Sequence, residues 1–426
     1  MRIYNVIIGL ISDIVKIVFK TVIFFGLFQF LRKVSLFLYR RFVIVQPQDK
    51  KILIIQLDNV GDVVCSTSVF KHYRNAFPGC EIVLLAHRSV RGLCESFFDR
   101  VIYINRNKFL WNIFYSVGVL KNIHQEGFSR VIYHSTNQLS FVEYFGIVSN
   151  ISAKEIIGYE GEKIFFDAAV NTVYNRYLIS VLFPMYRRAL STCVSSIDSC
   201  APRTVPITSI FKHLISFYET VTHKEELDYS THIKIISSYT IPQTPYVVLG
   251  CGAAVMYRQW PVDRFLEVIH HIYKKGCTVI LIGSGEQELA LSQYIVQKAP
   301  FVQNHVNKTS LLDVCALIQG ACMCISNETS FVHLAIALRV PTVCVVGGGH
   351  IGRCSLYGYP SYTMWVYDAH ASCLGDNWLC GWGVSTASPC VASIASTDVC
   401  ARVDELLSHT TSHIPSSILF STTYER

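Results

Sequence analysis

The sequence predicts an α/β protein, with two doubly wound, Rossmann-like domains behind an apolar, basic helical arm. Three observations predict it. Short continuous apolar runs alternate with stretches of helical spacing, twice over, as buried parallel strands and their crossover helices do. Glycine-rich turns stand at the ends of those runs, where open α/β sheets bind ligands. Of the 426 residues, 51% are hydrophobic and only 16% are charged, which excludes disorder and supplies large cores. The expected divisions are an arm over 1–48, a first domain over 49–236, a linker over 237–245, a second domain over 246–410 and a tail over 411–426.

The arm holds most of the charge excess. The formal net charge is +7, and residues 1–50 carry eight Lys/Arg against Asp13 and Asp49. The nearly neutral body therefore gives no reason to expect a nucleic-acid partner. The longest uncharged windows of the arm, Ile3–Ser12, Thr21–Leu31 and Val34–Tyr39, are ten, eleven and six residues long. A bilayer span needs ~20. Arg2, Asn5, Ser12, Asp13, Lys16 and Lys20 recur at helical spacing and form one polar stripe. Three placements stay open: an interfacial anchor, a single imperfect span with Asp13 and Lys16 paired, and a helix packed on the protein's own surface. In the first, Arg32, Lys33, Arg40 and Arg41 meet anionic lipid from the cytoplasmic side. No small-residue cleavage site follows, which argues against a cleaved signal peptide.

The elements follow in order. Lys51–Leu57 is a buried strand ending in Asp58-Asn59-Val60-Gly61-Asp62, and helical spacing then runs through Phe70 and Tyr73 to a break at Pro78-Gly79. Glu81–Ala86, Val101–Ile104 and Arg130–His134 read as strands, and Asn171–Leu182 as a helix. Residues 183–245, punctuated by Pro202, Pro206, Pro242 and Pro245, are irregular. The second series has strands at Tyr246–Leu249, Thr278–Ile282, Met323–Ser326 and Thr342–Val346. Its helices are Val262–Lys275, Glu286–Lys298, Leu311–Gln319, Ser330–Leu338 and Thr397–Leu407.

Four loops stand at strand ends: Gly61-Asp62, Gly250-Cys251-Gly252, Gly283-Ser284-Gly285-Glu286 and Gly347–Gly352. Glycine lets backbone N–H groups approach a phosphate, and the following helix N-terminus adds partial positive charge. Each alone is also an ordinary turn; three in the second half point to a phosphorylated ligand there. Gly347–Gly352 fits the dinucleotide pattern formally. It follows a late strand, however, and what comes after is loop-like and Cys-rich, which argues against it. Asp62, at a helix start after a buried strand, suits a general base, or is a plain helix N-terminal acid. Arg258, ahead of a helix, suits a phosphate, or is a solvated turn cation. His333 lies on an apolar helix, where most histidines are core residues. The sixteen scattered cysteines read as reduced and cytosolic, and the six- and nine-residue gaps among Cys373, Cys380, Cys390 and Cys400 are wrong for zinc.

Together the motifs resemble glycosyltransferase family 9, the lipopolysaccharide heptosyltransferases. The similarity covers roughly residues 50–405, in family order. It is carried by the run Ile52–Val64 with Thr67, Pro78 and Glu81, by Ile157-Gly158-Tyr159 and Val173–Leu178, by Arg258-Gln259-Trp260-Pro261, and by Ser326–Ala335 with Val340-Pro341-Thr342. The resemblance implies a GT-B fold with the active site in the interdomain cleft. It implies inverting, metal-independent transfer of heptose from a nucleotide-sugar donor, ADP-heptose, to a lipid-linked core acceptor, with no cofactor, at the cytoplasmic face of the bacterial inner membrane. Asp62 matches the general base. Gly252, Ala253, Ala254, Arg258, Glu286, Glu328, Thr329, Ser330 and His333 fall on the donor side, and Asp58, Asn59 and Gly61 on the acceptor side. Two departures stand out. The family prefers Asp-Thr-Gly where this chain has Glu328-Thr329-Ser330, and Ala253 and Ala254 replace phosphate-contact hydroxyls. A non-catalytic scaffold that binds nucleotide sugar is the alternative; an NAD-dependent dehydrogenase would need a glycine fingerprint at a domain's first strand.

Overall fold

The structure, a computed structural model, describes residues 30–134, 147, 151, 153–157, 210–226, 228–352, 361–375 and 386–413. The polar stripe of residues 2–20, the helix expected at Asn171–Leu182, Gly158-Tyr159, Val173–Leu178, Cys380 and residues 414–426 lie outside the described residues. The chain divides into two compact units that do not follow one another as consecutive blocks. The first is Met1–Asp58, Phe77–Arg88 and Phe98–Arg203, and the second is Asn59–Ala76, Ser89–Phe97 and Thr204–Arg426.

The first unit holds a parallel sheet of order β3-β2-β1-β4-β5, with β1 at Gln48–Gln56, β2 at Glu81–His87, β3 at Arg100–Ile104, β4 at Phe128–Tyr133 and β5 at Glu155–Ile157. β1 is buried continuously from Ile52, as a strand covered on both faces must be. Its Leu53 and Ile55 pack with Val83, Leu85 and Val131, and with Phe109 of α3 (Arg106–Trp111) and Leu120 and Ile123 of α4 (Ile113–Gln125). Asn105 and Asn112 cap α3 and α4 by accepting from the backbone N–H of Lys108 and Tyr115.

Helix α1, over residues 30–42, belongs to this unit, and Leu36 enters its core. Arg32 corrects one expectation. Its side chain points inward rather than toward lipid: Nε donates to Ser116 Oγ at 3.1 Å, Nη2 donates to the Phe109 carbonyl at 2.8 Å, and the guanidinium lies over the Phe109 ring at 4.7 Å. Burial lowers its pKa to about 10, still charged at neutral pH. A buried guanidinium needs such partners. Among the described residues no helix is long and apolar enough to cross a membrane.

The second unit holds a parallel sheet of order β11-β10-β9-β6-β7-β8, with β6 at Tyr246–Gly250, β7 at Thr278–Leu281, β8 at Gln303–Asn304, β9 at Met323–Asn327, β10 at Thr342–Val345 and β11 at Thr363–Val366. Its helices include α2 (Val60–Ala76), α5 (Ile210–Thr222), α6 (Val262–Lys274), α7 (Glu286–Lys298), α8 (Leu311–Gln319), α9 (Ser330–Ala337), α10 (Pro389–Ala392) and α11 (Ser396–His413). α2 packs on α9 and α5. Trp260 is fully buried, edge-on to Phe265 at 4.9 Å, and its Nε1 donates to the Ile394 carbonyl at 3.0 Å.

Several elements lie outside the expected series, α3, α4, β5, β8 and α10 among them, and two more show why. α5 lies in the stretch read as irregular. Its buried Leu214, Phe217, Tyr218 and Val221 have helical spacing, which the surrounding prolines masked. β11 follows the Gly347–Gly352 turn and pairs in parallel with β10, and four residues are too few to announce a strand by pattern. Replacing Arg32 by alanine removes two hydrogen bonds made by a charged donor and should cost about 2 kcal/mol. Lys33→Ala, an exposed neighbour, should stay within about 0.5 kcal/mol, with thermal or urea unfolding of both variants as the measurement.

Candidate functional site

An open parallel sheet binds ligands where its strand order reverses. In the second unit that point lies between β6 and β9, and the loops leaving their carboxyl ends carry Gly252 and Glu328-Thr329. Asn327, fully buried, ties the two together. Its Nδ2 donates to the carbonyls of Cys251 (2.9 Å) and Gly252 (3.0 Å), and its Oδ1 accepts from the Trp260 N–H at 3.0 Å. One amide thus fixes the glycine turn, the segment bearing Arg258 and the end of β9.

Glu328 comes next and is also buried. Its carboxylate accepts from Arg258 Nη2, which also donates to the Glu328 carbonyl at 2.6 Å, and from His350 Nδ1 at 2.6 Å. Burial works to raise the Glu328 pKa, but Arg258 first, then His350 and His333, outweigh it and hold the carboxyl well below the usual range. Thr329 caps α9: its hydroxyl accepts from the Phe331 N–H at 3.4 Å and lies 3.1 Å from Ser326 Oγ. Gly250 is required nearby, since a Cβ there would stand 2.6 Å from the Phe331 ring.

His333 is buried on α9, with Nδ1 3.5 Å from Cys65 Sγ on α2. Burial pushes its pKa down to about 4, against the pull of Glu328, so the imidazole is neutral at pH 7. Gly61 makes the close approach of α2 possible: a Cβ there would lie 3.1 Å from His333 Cδ2 and 3.5 Å from Ser330 Cα. Asp62 follows, half-buried in the first turn of α2, where a carboxylate suits the helix dipole. Asn59, just ahead of that helix, is exposed.

Gly61, Ser330, His333, Glu328, Arg258 and Gly252 therefore form one contiguous group within the second unit. The remaining residues expected on the donor side are arranged differently. Ala253 is buried and Ala254 is exposed. Glu286 is exposed at the start of α7, whereas Glu288 turns inward. A Cβ at either Gly252 or Gly283 would overlap the Glu288 carboxylate, so both glycines make room for that side chain. Burial raises the Glu288 pKa, opposed by the Ser284 N–H it accepts at 2.7 Å. Asp58 belongs to the first unit, at that sheet's own reversal between β1 and β4. It is buried and accepts from Gln56 Nε2 at 2.8 Å, and His134 Nδ1 lies 2.8 Å from Gln56 Oε1. Burial holds the His134 pKa down to about 3.

Sequence reasoning gave no site role to Asn327, Glu288, Cys65, Gln56, His134 or His350. His350 had a usable signal, because it directly follows three glycines at the end of a strand adjacent to β9. The others are found only through their partners.

Known proteins share this architecture. The family model for glycosyltransferase family 9 (heptosyltransferase) matches residues 207–376. A lipooligosaccharide heptosyltransferase 2 from Haemophilus ducreyi is 23% identical over 328 residues, 74% of this chain and 85% of that protein. The crystal structure of a family 9 glycosyltransferase from Veillonella parvula aligns with TM-score 0.61 at 16% identity, covering 86% of this chain and 99% of that one. The E. coli ADP-heptose lipopolysaccharide heptosyltransferase II aligns with TM-score 0.59 at 14% identity, covering 85% and 99%.

Two outcomes follow from the site's charges. Arg258→Ala strands a buried carboxylate and should cost about 3 kcal/mol or more, whereas Glu328→Gln leaves the Arg258 cation, which is less buried than the carboxylate and can turn to water, and should cost less; chemical unfolding of the two variants compares them. His333 gives a pH signature. Its folded pKa of about 4 lies below its ordinary 6.5, so the unfolded chain binds more protons between those values. Stability should fall as pH drops from 6.5 toward 4, by roughly 1 kcal/mol per pH unit from this group. His333→Gln should flatten that part of a plot of Tm against pH.

Proposed function

We propose that the chain is a glycosyltransferase of family 9, the lipopolysaccharide heptosyltransferase family, and that it transfers heptose from ADP-heptose to a lipid-linked core oligosaccharide with inversion at the anomeric carbon. Its two parallel sheets are those of the GT-B fold. The observation that carries the reading is the juxtaposition, at the second sheet's reversal point, of the Arg258 cation, the start of α9 and the turn that bears Asp62.

In the proposed reaction the acceptor hydroxyl attacks the anomeric carbon from the face opposite the diphosphate. Its proton passes to the Asp62 carboxylate as the new C–O bond forms. The bond from the anomeric carbon to the diphosphate oxygen breaks with its electron pair, and ADP leaves. Arg258 and the N-terminus of α9 stabilise the charge gathering on that leaving group. Thr329 and Ser330 lie beside this position for the donor sugar. Glu328, longer by one methylene than the family's aspartate, reaches Arg258 and His350. It thus acts on the donor through the cation it holds. The membrane surface is the second partner of this reading. A lipid-linked acceptor is confined there, and residues 1–45 bring the enzyme to it from the cytoplasmic side.

A thermal-shift screen of nucleotide sugars followed by turnover assays tests this. ADP-heptose at 100 times its Kd should stabilise the full chain by about 2.7 kcal/mol, with UDP-sugars well below that. Asp62→Asn should keep the shift with ADP-heptose and lose about 10²–10⁴-fold in kcat. Undiminished turnover by that variant overturns the assignment of the base. Donor binding without transfer by the wild type supports the scaffold reading instead.

A further inference from the structure

Helix α1 presents two apolar faces, and only one is accounted for by the fold. Arg32 and Leu36 lie on the inner face, bound into the first unit. Phe30, Val34, Phe37, Leu38 and Phe42 share the outer face by their spacing, and Ile44 follows just past the helix. These side chains stand in solvent, Phe37 at 65% and Phe42 at 84% exposure. Among the described residues, seven of the thirteen exposed large hydrophobics fall within residues 30–44, so this is a patch rather than scatter. An ordinary surface helix turns polar residues outward.

The charges on this stretch all have one sign. Lys33 and Arg41 are exposed, and no Asp or Glu occurs between Asp13 and Asp49. We propose that the outer face of α1 is a docking facet for an anionic bilayer surface. The phenyl rings and aliphatic chains enter the acyl boundary, and Lys33 and Arg41 reach back to phospholipid headgroups. The described part of the helix, residues 30–42, is about 20 Å long and is bound along its inner face into the folded unit, so its outer face lies along the bilayer surface. A second copy of the chain is the less fitting occupant, because a two-fold contact here would bring like charges together. The sequence preceding the helix continues the same apolar and basic character. Because Arg32 and Leu36 bind α1 into the folded unit, the facet orients that unit on the membrane rather than tethering it loosely.

This deepens the reading that residues 1–45 meet a membrane, naming the face and the lipid charge. The test is flotation of the full-length protein with phosphatidylcholine vesicles, with and without phosphatidylglycerol. The wild type should float with the phosphatidylglycerol vesicles. Phe37→Asp/Phe42→Asp should weaken that partition at least tenfold. Lys33→Gln/Arg41→Gln should weaken it about 30-fold, roughly fivefold per charge lost, with no change on phosphatidylcholine alone. Unchanged melting temperature shows that the variants are folded. If the Phe37→Asp/Phe42→Asp protein floats like the wild type, the facet is overturned while the membrane reading of the arm survives. A wild type that binds neither vesicle overturns both. A wild-type dimer that the same pair of substitutions dissolves, without vesicle binding, makes the face a self-interface and overturns the proposal.

Discussion

Glu328 is a carboxylate with almost no access to water, and a buried negative charge persists in a fold only when nearby groups compensate it. Arg258 and His350 do so, and each comes from a different loop at the carboxyl edge of the second sheet. Satisfying one charge therefore fixes the relative positions of the loops after β6, β9 and β10. Asn327, one residue earlier, repeats the logic with neutral groups, since its buried amide must find partners and takes them from Cys251, Gly252 and Trp260. These two adjacent side chains make the edge of the sheet a defined surface instead of a set of independent turns.

Close packing of α2 on α9 is the second constraint. It leaves little room for a side chain at Gly61, where a Cβ would stand 3.1 Å from His333 Cδ2. His333 in turn stays neutral because it is buried, and its ring meets Cys65. Gly61 is thereby held against Ser330, far away in sequence, and Asp62 follows it in the first turn of the helix. A helix that follows the first strand of one sheet thus belongs, by its contacts, to the unit built around the other.

Much of this was legible in sequence. Both strand–helix series follow from continuous apolar runs and their spacing, because a strand buried on both faces has no alternative composition. The glycine turns mark strand ends correctly, but their reason differs in part. Gly252 and Gly283 accommodate Glu288, and Gly250 accommodates Phe331, where the sequence suggested room for a phosphate or an ordinary turn. Of the three placements open for the arm, the interfacial one turns Arg32 toward lipid, and the sequence does not say which face of the helix is buried. Only the partners Ser116 and Phe109, far along the chain, decide that. α5 had the right periodicity and was lost among prolines, and β11 was too short to show any.

The sequence by itself determined the α/β class, most of the elements, and the chemistry available at each strand end, since these depend on local composition and on periods of two and 3.6 residues. Tertiary structure decided which of those residues share a charge, a hydrogen bond or a van der Waals boundary. It chose Arg258 and His350 as the cations for Glu328, Asn327 as the link between two loops, and the outer face of α1 as the one left in solvent. Such choices compare burial against compensation among groups far apart in sequence, and that balance is set only when the chain has closed around them.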